Sequence, residues 1–404
     1  MEKILFCTAN FKTGRGGISS YAVDFIETFK DTYEIIVVAS GKTEESNTKV
    51  YSCEYLDFTI PNALKLLEII YKEKPNIIIN SAFALLSLVT PYIDNNIQII
   101  TISHFVNGRY AWYAGLNGKY VDSIIALSSY GKKYIEKKFN IKDKGKTKVV
   151  FNFMPEITPS YKVKRNRTTL KIVYPGGCSF AKSAEIVCKS LKLLLKTNLN
   201  FEFYWTGNTK IAGAGRIGIH TNNIEDCLPK DSRIKHIGPV SREVSKQILS
   251  DANIFLLPSR GEGFPITLIE AMRSGCIPII SNAKHGSLDA ITNTINGLVI
   301  KQNSSKEIVS LITDIINHPQ QYSSIYENSY LYYKQNLTDY VWKNHLSLIL
   351  HAQPTHAPRL NEFHKLNYFK DRCYLKYLMR KYWIYDRFAQ LYHFFFFRYI
   401  KYFV

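Results

Sequence analysis

Short runs of β-branched and aliphatic residues alternate along the chain with longer stretches whose apolar positions recur at helical spacing. This alternation is the mark of parallel α/β sheets. Strands are predicted at 3–9, 33–39, 76–81, 97–103, 123–128 and 147–152. After the first, Thr13-Gly14-Arg15-Gly16-Gly17 leads into a helix carrying Ile18, Tyr21, Ala22, Phe25, Ile26 and Phe29 on one face. The run from Met154 to Thr169 has Pro155, Pro159, Lys162, Lys164, Arg165 and Arg167 and no apolar period, so it reads as a linker. A second series follows, with strands at 170–175, 201–206, 234–238, 253–257, 277–281 and 297–300. Helices are predicted near 183–197, 241–251 and 266–274, and later near 304–317, 321–335 and 338–351. The expected organisation is an N-terminal Rossmann-like domain (1–155), a linker (156–169), a second Rossmann-like domain (170–351) and a tail (352–404). The two doubly wound domains are expected to face each other across a cleft.

Composition sharpens this picture. With 404 residues, 46% of them hydrophobic and 21% charged, the chain can build large cores, which excludes wholesale disorder and low-complexity arrays. Its net charge of +19 suits nucleic acid, an anionic membrane or a phosphorylated substrate alike. Part of that charge is localised: residues 361–404 hold nine basic residues against three acidic ones, together with 17 aromatics. There Tyr374, Tyr377, Leu378, Tyr385, Phe388, Tyr392, Phe395 and Tyr399 fall near one helical stripe, with Lys376, Arg380 and Arg387 on another face. That pattern suits an interfacial amphipathic helix, with packing onto the domains as the alternative. From Lys132 to Lys148, eight lysines (132, 133, 137, 138, 142, 144, 146, 148) face Glu136 and Asp143, either as a second membrane contact or as a solvated surface.

Seven scattered cysteines without a C-x-x-C pair argue against a disulfide framework or zinc cluster. The first ten residues lack a signal-peptide cleavage pattern, and no stretch approaches 18 uncharged apolar residues. The expected location is cytoplasmic, peripheral on the inner face of the plasma membrane.

The segment richest in chemistry runs from Phe255 to Ile280, FLLPSRGEGFPITLIEAMRSGCIPII. A strand ends at Pro258, a glycine-rich loop holds Glu262, and a helix opening near Ile266 carries Glu270. Helix N-termini offer unpaired N–H groups and partial positive charge, so the Gly263-Phe264-Pro265 turn can receive a phosphate or an oxygen-rich sugar. Glu262 and Glu270 can each accept hydrogen bonds from two neighbouring hydroxyls. Read alone, the segment is a helix-capping loop with two solvated carboxylates.

This segment resembles the signature of glycosyltransferase family 4, E-G-[FYW]-[GP]-x-x-x-x-E followed by A-M-x-x-G-x-P, the proline here standing one position later, at Pro278. The resemblance covers roughly residues 1–351 and implies a GT-B fold, a retaining mechanism and a nucleotide-sugar donor. It implies that Glu262 lies beside the donor sugar, that Glu270 binds the ribose hydroxyls, and that the Gly263 and Phe264 amides face sugar and diphosphate. Gly16-Gly17-Ile18 resembles the family's N-terminal glycine loop, and His104 matches a histidine near the transferred sugar. Alone, the first is a plain βα turn and the second a hydrogen-bonded structural residue.

Tyr174-Pro-Gly-Gly-Cys-Ser-Phe-Ala-Lys182 resembles the loop whose Arg and Lys clamp the diphosphate. Gly176 and Lys182 keep the spacing, but Gly177 replaces the Arg and Ser183 the following Gly. Arg260 or Arg15 are candidates for the missing charge. Phe151-Asn152-Phe153 also resembles the family's turn at the domain junction, with Phe153 in place of Gly. No Asp-x-Asp and no clustered Cys/His ligands occur, so no metal site is expected and the nucleotide sugar, UDP- or GDP-linked, is a co-substrate rather than a cofactor. The expected reaction is transfer to a saccharide or lipid-linked acceptor of lipopolysaccharide, O-antigen or capsule type. His104, Glu262 and Lys182 carry the catalytic roles, and Gly16, Gly17, Gly176, Lys182, Gly263, Phe264, Pro265 and Glu270 hold the donor. Two other readings stand beside it: a GT-B-shaped binding protein without activity, suggested by Gly177, and a nucleic-acid binder, which lacks any RRM, KH or helix-turn-helix signal.

Overall fold

The computed structural model describes residues 1–11, 17–40, 48–106, 108–143, 145–156, 169–208, 228–283, 285–353, 355–360 and 362–399. They fall into two compact units, Met1–Asn152 with Trp342–Tyr382, and Phe153–Val341 with Trp383–Val404.

The first unit runs β1 (Lys3–Thr8), α1 (Gly17–Phe29), β2 (Glu34–Ala39), β3 (Lys49–Ser52), α2 (Ile60–Glu73), β4 (Ile77–Ser81), α3 (Ala84–Val89), β5 (Gln98–Ser103), α4 (Gly108–Gly115), β6 (Ser123–Ala126), α5 (Ser129–Lys138) and β7 (Thr147–Val149). Its seven-stranded sheet has the order β3-β2-β1-β4-β5-β6-β7, and every pairing is parallel. β4 and β5 are buried at every position, which is why they read as near-continuous apolar runs. Helix α1 buries Tyr21, Ala22, Phe25, Ile26 and Phe29, the stripe its spacing predicts.

The second unit runs β8 (Leu170–Tyr174), α6 (Ala184–Leu194), β9 (Phe201–Thr206), β10 (Ile234–Gly238), α7 (Arg242–Asp251), β11 (Ile254–Leu257), α8 (Ile266–Arg273), β12 (Ile277–Ser281), α9 (Ser287–Ala290), β13 (Leu298–Ile300), α10 (Ser305–Asn317) and α11 (Ser323–Asn336). Its six strands are ordered β10-β9-β8-β11-β12-β13, again all parallel. Serine caps start two of its helices, α7 and α10: Ser241 Oγ accepts from Val244 N, and Ser304 Oγ from Glu307 N. Both units are doubly wound, with the sheet order reversing direction between β1 and β4 and between β8 and β11.

The last helices, α12 (Asp339–Leu350) and α13 (Lys365–Tyr399), redraw the expected boundaries. Trp342 of α12 packs on the α1 rings, with centroids 5.5 Å from Tyr21, 6.2 Å from Phe25 and 6.1 Å from Phe29. Residues 342–351, expected in the second domain, therefore build onto the first unit. The connection to α13 is pinned by the buried Arg359, which donates to the carbonyls of Tyr120 (2.9 Å), Asp94 (2.5 Å) and Ile97 (2.8 Å) and pairs with Asp122 at 3.3 Å.

Nor is residue 352 onward a free tail. Tyr368, Leu375 and Leu378 of α13 are buried in the core of the first unit, so Leu378 leaves the surface stripe assigned to it. Leu366, Phe369, Tyr377, Ile384 and Phe388 remain exposed. The eight-lysine stretch needs a similar correction: Lys146 is only 7% exposed and cannot belong to a solvated face, and Lys144 lies outside the described residues. Among the described residues, no helix is long and apolar enough to cross a membrane.

Candidate functional site

Ligands of doubly wound sheets bind outside the carboxyl ends of the strands, where the sheet order reverses and neighbouring loops part. In the second unit that point lies between β8 and β11. The two strands pair only at Ile172 with Ile254 and Val173 with Phe255. Beyond that pairing come the two loops singled out by sequence, 175–183 and 258–265.

The loops are bound to each other by charge. Lys182 ends a 3₁₀ turn (Phe180–Lys182) capped by Ser179 Oγ, and its carbonyl accepts from Tyr174 Oη at 2.9 Å. Its ammonium lies 2.6 Å from Glu262 Oε1, whose side chain is largely buried. Arg260 braces the same junction: its N–H donates to the Ala181 carbonyl (2.8 Å), its Nη1 to the Phe180 carbonyl (2.6 Å), and its Nη2 pairs with buried Glu185. The guanidinium also stacks 3.9 Å from the Phe180 ring centroid. Arg260 is thus committed to holding the loops together rather than filling the clamp position left by Gly177. Arg15, the other candidate, lies outside the described residues.

Glycines set the backbone spacing here. A Cβ on Gly176 would fall 2.0 Å from Tyr174 Cζ, whereas one on Gly177 would meet nothing among the described residues closer than Asn208 N at 3.8 Å. Ser183, where the resemblance expects Gly, adopts φ 55°, the left-handed conformation that glycine takes without steric cost.

Helix α8 starts at the Pro265 cap directly after buried Phe264, so its first-turn amides lie at the carboxyl end of the sheet. Glu270, in the second turn, is 7% exposed, as is Glu262. Gly263 is buried with them. The expected group Gly176, Lys182, Glu262, Gly263, Phe264, Pro265 and Glu270 therefore shares one pair of adjacent loops and the helix that follows.

Two residues there carry no motif signal. His285 is buried, its Nε2 3.2 Å from Ser281 Oγ and its Nδ1 accepting from Ser287 N at 3.2 Å. Burial lowers its pKa to about 4; Glu262 opposes that shift and Lys182 adds to it. The neighbouring Gly286 N donates to the Glu262 carbonyl at 3.3 Å. Glu185 is the other: 75 residues from Arg260, its pairing follows from the fold alone.

In the first unit, His104 follows β5, with Nε2 2.8 Å from Ser81 Oγ and its ring edge-on to Tyr21 at 5.1 Å. Desolvation in this packing lowers its pKa to about 3, so the ring is neutral near pH 7. Gly17 begins α1 after β1; Gly16 lies outside the described residues. Among the described residues, no group of three or more His, Cys, Asp or Glu is placed to hold a metal ion.

Residues 161–332 match the sequence model of the family described as "Glycosyl transferases group 1". The second unit carries a glycosyl transferases group 1 domain. An uncharacterized glycosyltransferase of Haemophilus influenzae is 24% identical over 82% of this chain and 95% of its own length. The capsular polysaccharide biosynthesis glycosyltransferase CapH of Staphylococcus aureus is 25% identical over 68% of this chain and 81% of its own. Among solved structures, Anabaena Alr3699/HepE in complex with UDP-glucose superposes with a TM-score of 0.69 at 15% identity, covering 87% of this chain and 99% of its own. The two parallel, doubly wound sheets are those of the GT-B fold. The group 1 domain contains both loops and helix α8, so the Lys182–Glu262 pair and Glu270 all fall within it.

Proposed function

We propose that the protein is a retaining glycosyltransferase, moving a sugar from a UDP- or GDP-linked donor to a lipid-linked or capsule- or lipopolysaccharide-type saccharide without a metal ion. The observation that carries this reading is the Lys182–Glu262 ion pair, joining the loops that follow β8 and β11 where the sheet order reverses. An anionic donor entering there meets an ammonium and the amide end of α8, which can balance charge on a leaving nucleoside diphosphate. Glu270 accepts hydrogen bonds from the ribose, and Glu262 exchanges its Lys182 contact for a hydroxyl of the transferred sugar. With neither a metal nor a carboxylate nucleophile invoked, the departing phosphate oxygen takes the acceptor proton. Catalysis is then positioning and electrostatics. Neutral His104 keeps the role near the transferred sugar, and Gly17 the role in donor binding, that the resemblance implies. The similarity to glycosyltransferases over most of the chain supports this assignment.

The exposed face of α13 supports association with an anionic membrane. Leu366, Phe369, Tyr377, Ile384 and Phe388 lie along one side of the helix, with Lys376, Arg380 and Lys381 exposed near them. Each basic residue near such a surface contributes about 1 kcal/mol.

The test is Glu270→Gln, with UDP and GDP binding followed by calorimetry. Loss of at least about tenfold in affinity is expected; unchanged affinity refutes the ribose role. Incubation with a panel of nucleotide sugars and lipid extracts, read by mass spectrometry, separates an enzyme from the inactive binding protein that Gly177 suggests. Donor hydrolysis or transfer excludes the second.

A further inference from the structure

The opposite edge of the seven-stranded sheet, where its strands begin, holds a cavity of about 540 Å³. It lies between the turn before β6 (Asn117, Lys119), residues between α5 and β7 (Phe139–Asp143 and Lys146) and the returning chain at Thr355 and Ala357. His104 and the β1 turn belong to the other edge, so this cavity is separate from the residues assigned to sugar transfer.

Its chemistry centres on Lys146, which immediately precedes β7. The side chain is buried, yet among the described residues its ammonium has only two long contacts, to the carbonyls of Gly118 (3.4 Å) and Lys119 (3.5 Å). The nearby carboxylates are engaged elsewhere. Asp122 accepts from Ile99 N (2.7 Å) and Thr355 N (2.9 Å) and pairs with Arg359, while Asp143 accepts from Gly145 N (2.8 Å). Burial lowers the Lys146 pKa, with Asp122 and Asp143 opposing the shift and Arg359 adding to it. A buried ammonium without a close acceptor is costly in a finished core.

Lys119 and Lys142 line the same cavity and are exposed, against one carboxylate among the described lining residues, that of Asp143. The rest of the wall is apolar and shaped by bare backbone. A Cβ on Gly115 would fall 2.2 Å from the Phe139 ring, and one on Gly118 2.7 Å from Ile141 Cδ1. A smaller adjoining cavity of about 250 Å³ shares Asn117 and Lys119 and adds Lys370 of α13; its Asp371 accepts from Asn117 Nδ2 at 3.0 Å.

We propose that this cavity binds a phosphate ester, the phosphate seated among Lys119, Lys142 and Lys146 and its organic part against Phe139 and Ile141. A phosphate presents several acceptor oxygens to converging ammonium groups, and charge-assisted bonds to it are about twice as strong as neutral ones. The ester is either a small soluble molecule or a phospholipid headgroup, and the two are separable by experiment.

Full-length protein is titrated with glycerol 3-phosphate by calorimetry, and is sedimented with vesicles of phosphatidylcholine alone or with phosphatidylglycerol added. Both measurements are repeated on a Lys119→Gln/Lys142→Gln double variant, whose changes are on exposed side chains, and on Lys146→Met. Saturable binding of glycerol 3-phosphate that weakens at least about tenfold in the variants identifies a soluble ester. Vesicle binding that requires phosphatidylglycerol and weakens by the same factor, with no soluble binding, identifies the lipid headgroup. UDP affinity should stay unchanged in the variants either way. If neither ligand's binding changes by more than about twofold in the double variant, the proposal is overturned, whether or not Lys146→Met folds.

Discussion

Gly176 and Gly177 are adjacent, and the structure assigns them opposite responses to substitution. In Gly176→Ala the new methyl would fall 2.0 Å from Tyr174 Cζ and 2.1 Å from its hydroxyl oxygen. Tyr174 cannot readily yield: it is fully buried, its ring lies 4.6 Å from that of Trp205, and its hydroxyl donates to the Lys182 carbonyl. Overpacking of this kind costs about 1–3 kcal/mol, and losing the buried hydrogen bond about 1 more. A total near 3 kcal/mol lowers the melting temperature of a unit this size by roughly 6–12 °C. Displacing Tyr174 also moves Lys182, so UDP affinity should fall with stability.

In Gly177→Arg the Cβ meets only ordinary contacts among the described residues, beginning at 3.8 Å, and stability should change by less than about 0.5 kcal/mol. The added guanidinium stands where the family pattern places its Arg. A hydrogen bond between charged groups is worth about 1.5–3 kcal/mol, which tightens UDP binding roughly 10- to 100-fold. Urea unfolding and calorimetry read the two effects separately. A Gly176→Ala protein as stable as the parent, or a Gly177→Arg protein destabilised to the same extent, refutes the packing argument. A stable Gly177→Arg protein with unchanged UDP affinity refutes the placement of a diphosphate beside this loop.

Three further outcomes follow from the same geometry. Lys182→Ala leaves Glu262 buried without its ammonium, so sugar transfer assayed against a donor panel should slow at least about tenfold, with partial recovery in Lys182→Arg. His285 is held neutral, burial lowering its pKa from an ordinary value of about 6.5 to about 4, so the unfolded chain takes up its proton first as pH falls. Its contribution is present in full above pH 6.5 and is lost progressively toward pH 4, a difference of about 3 kcal/mol; urea midpoints of His285→Gln should show a shallower acid loss than the parent. Arg359→Met strands Asp122 as a buried charge and should cost about 3–5 kcal/mol by urea unfolding, whereas a cost below about 1 kcal/mol would mean the pair is not closed in solution.

Periodicity made most of the sheet-forming strands legible, because buried parallel strands are runs of Ile, Val and Leu. It missed β3, whose Lys49-Val-Tyr-Ser52 is a short, half-exposed edge strand with no apolar run to mark it. The residues proposed to hold the donor were visible as a motif since the two loops keep their chemistry in contiguous sequence. Their braces were not, because the pairing of Arg260 with Glu185 and the contact of Gly286 with Glu262 depend on loops that only the fold makes neighbours. The same limit applies to α13. Its aromatics suggested one exposed stripe, but Leu378 faces the core, and no local pattern tells an aromatic that meets lipid from one that meets another helix.

Closure of the first unit by the end of the chain also sets an order of events during synthesis. Residues 1–152 supply all seven strands, but Trp342, Arg359 and Leu375 complete the packing. At about 5–20 residues per second, roughly 10–50 s separate the emergence of residue 152 from that of residue 382. The group 1 domain has its full sequence well before that. The N-terminal sheet therefore has all its strands long before the residues that cover it, and its apolar surface stays open until residues 342–382 have emerged.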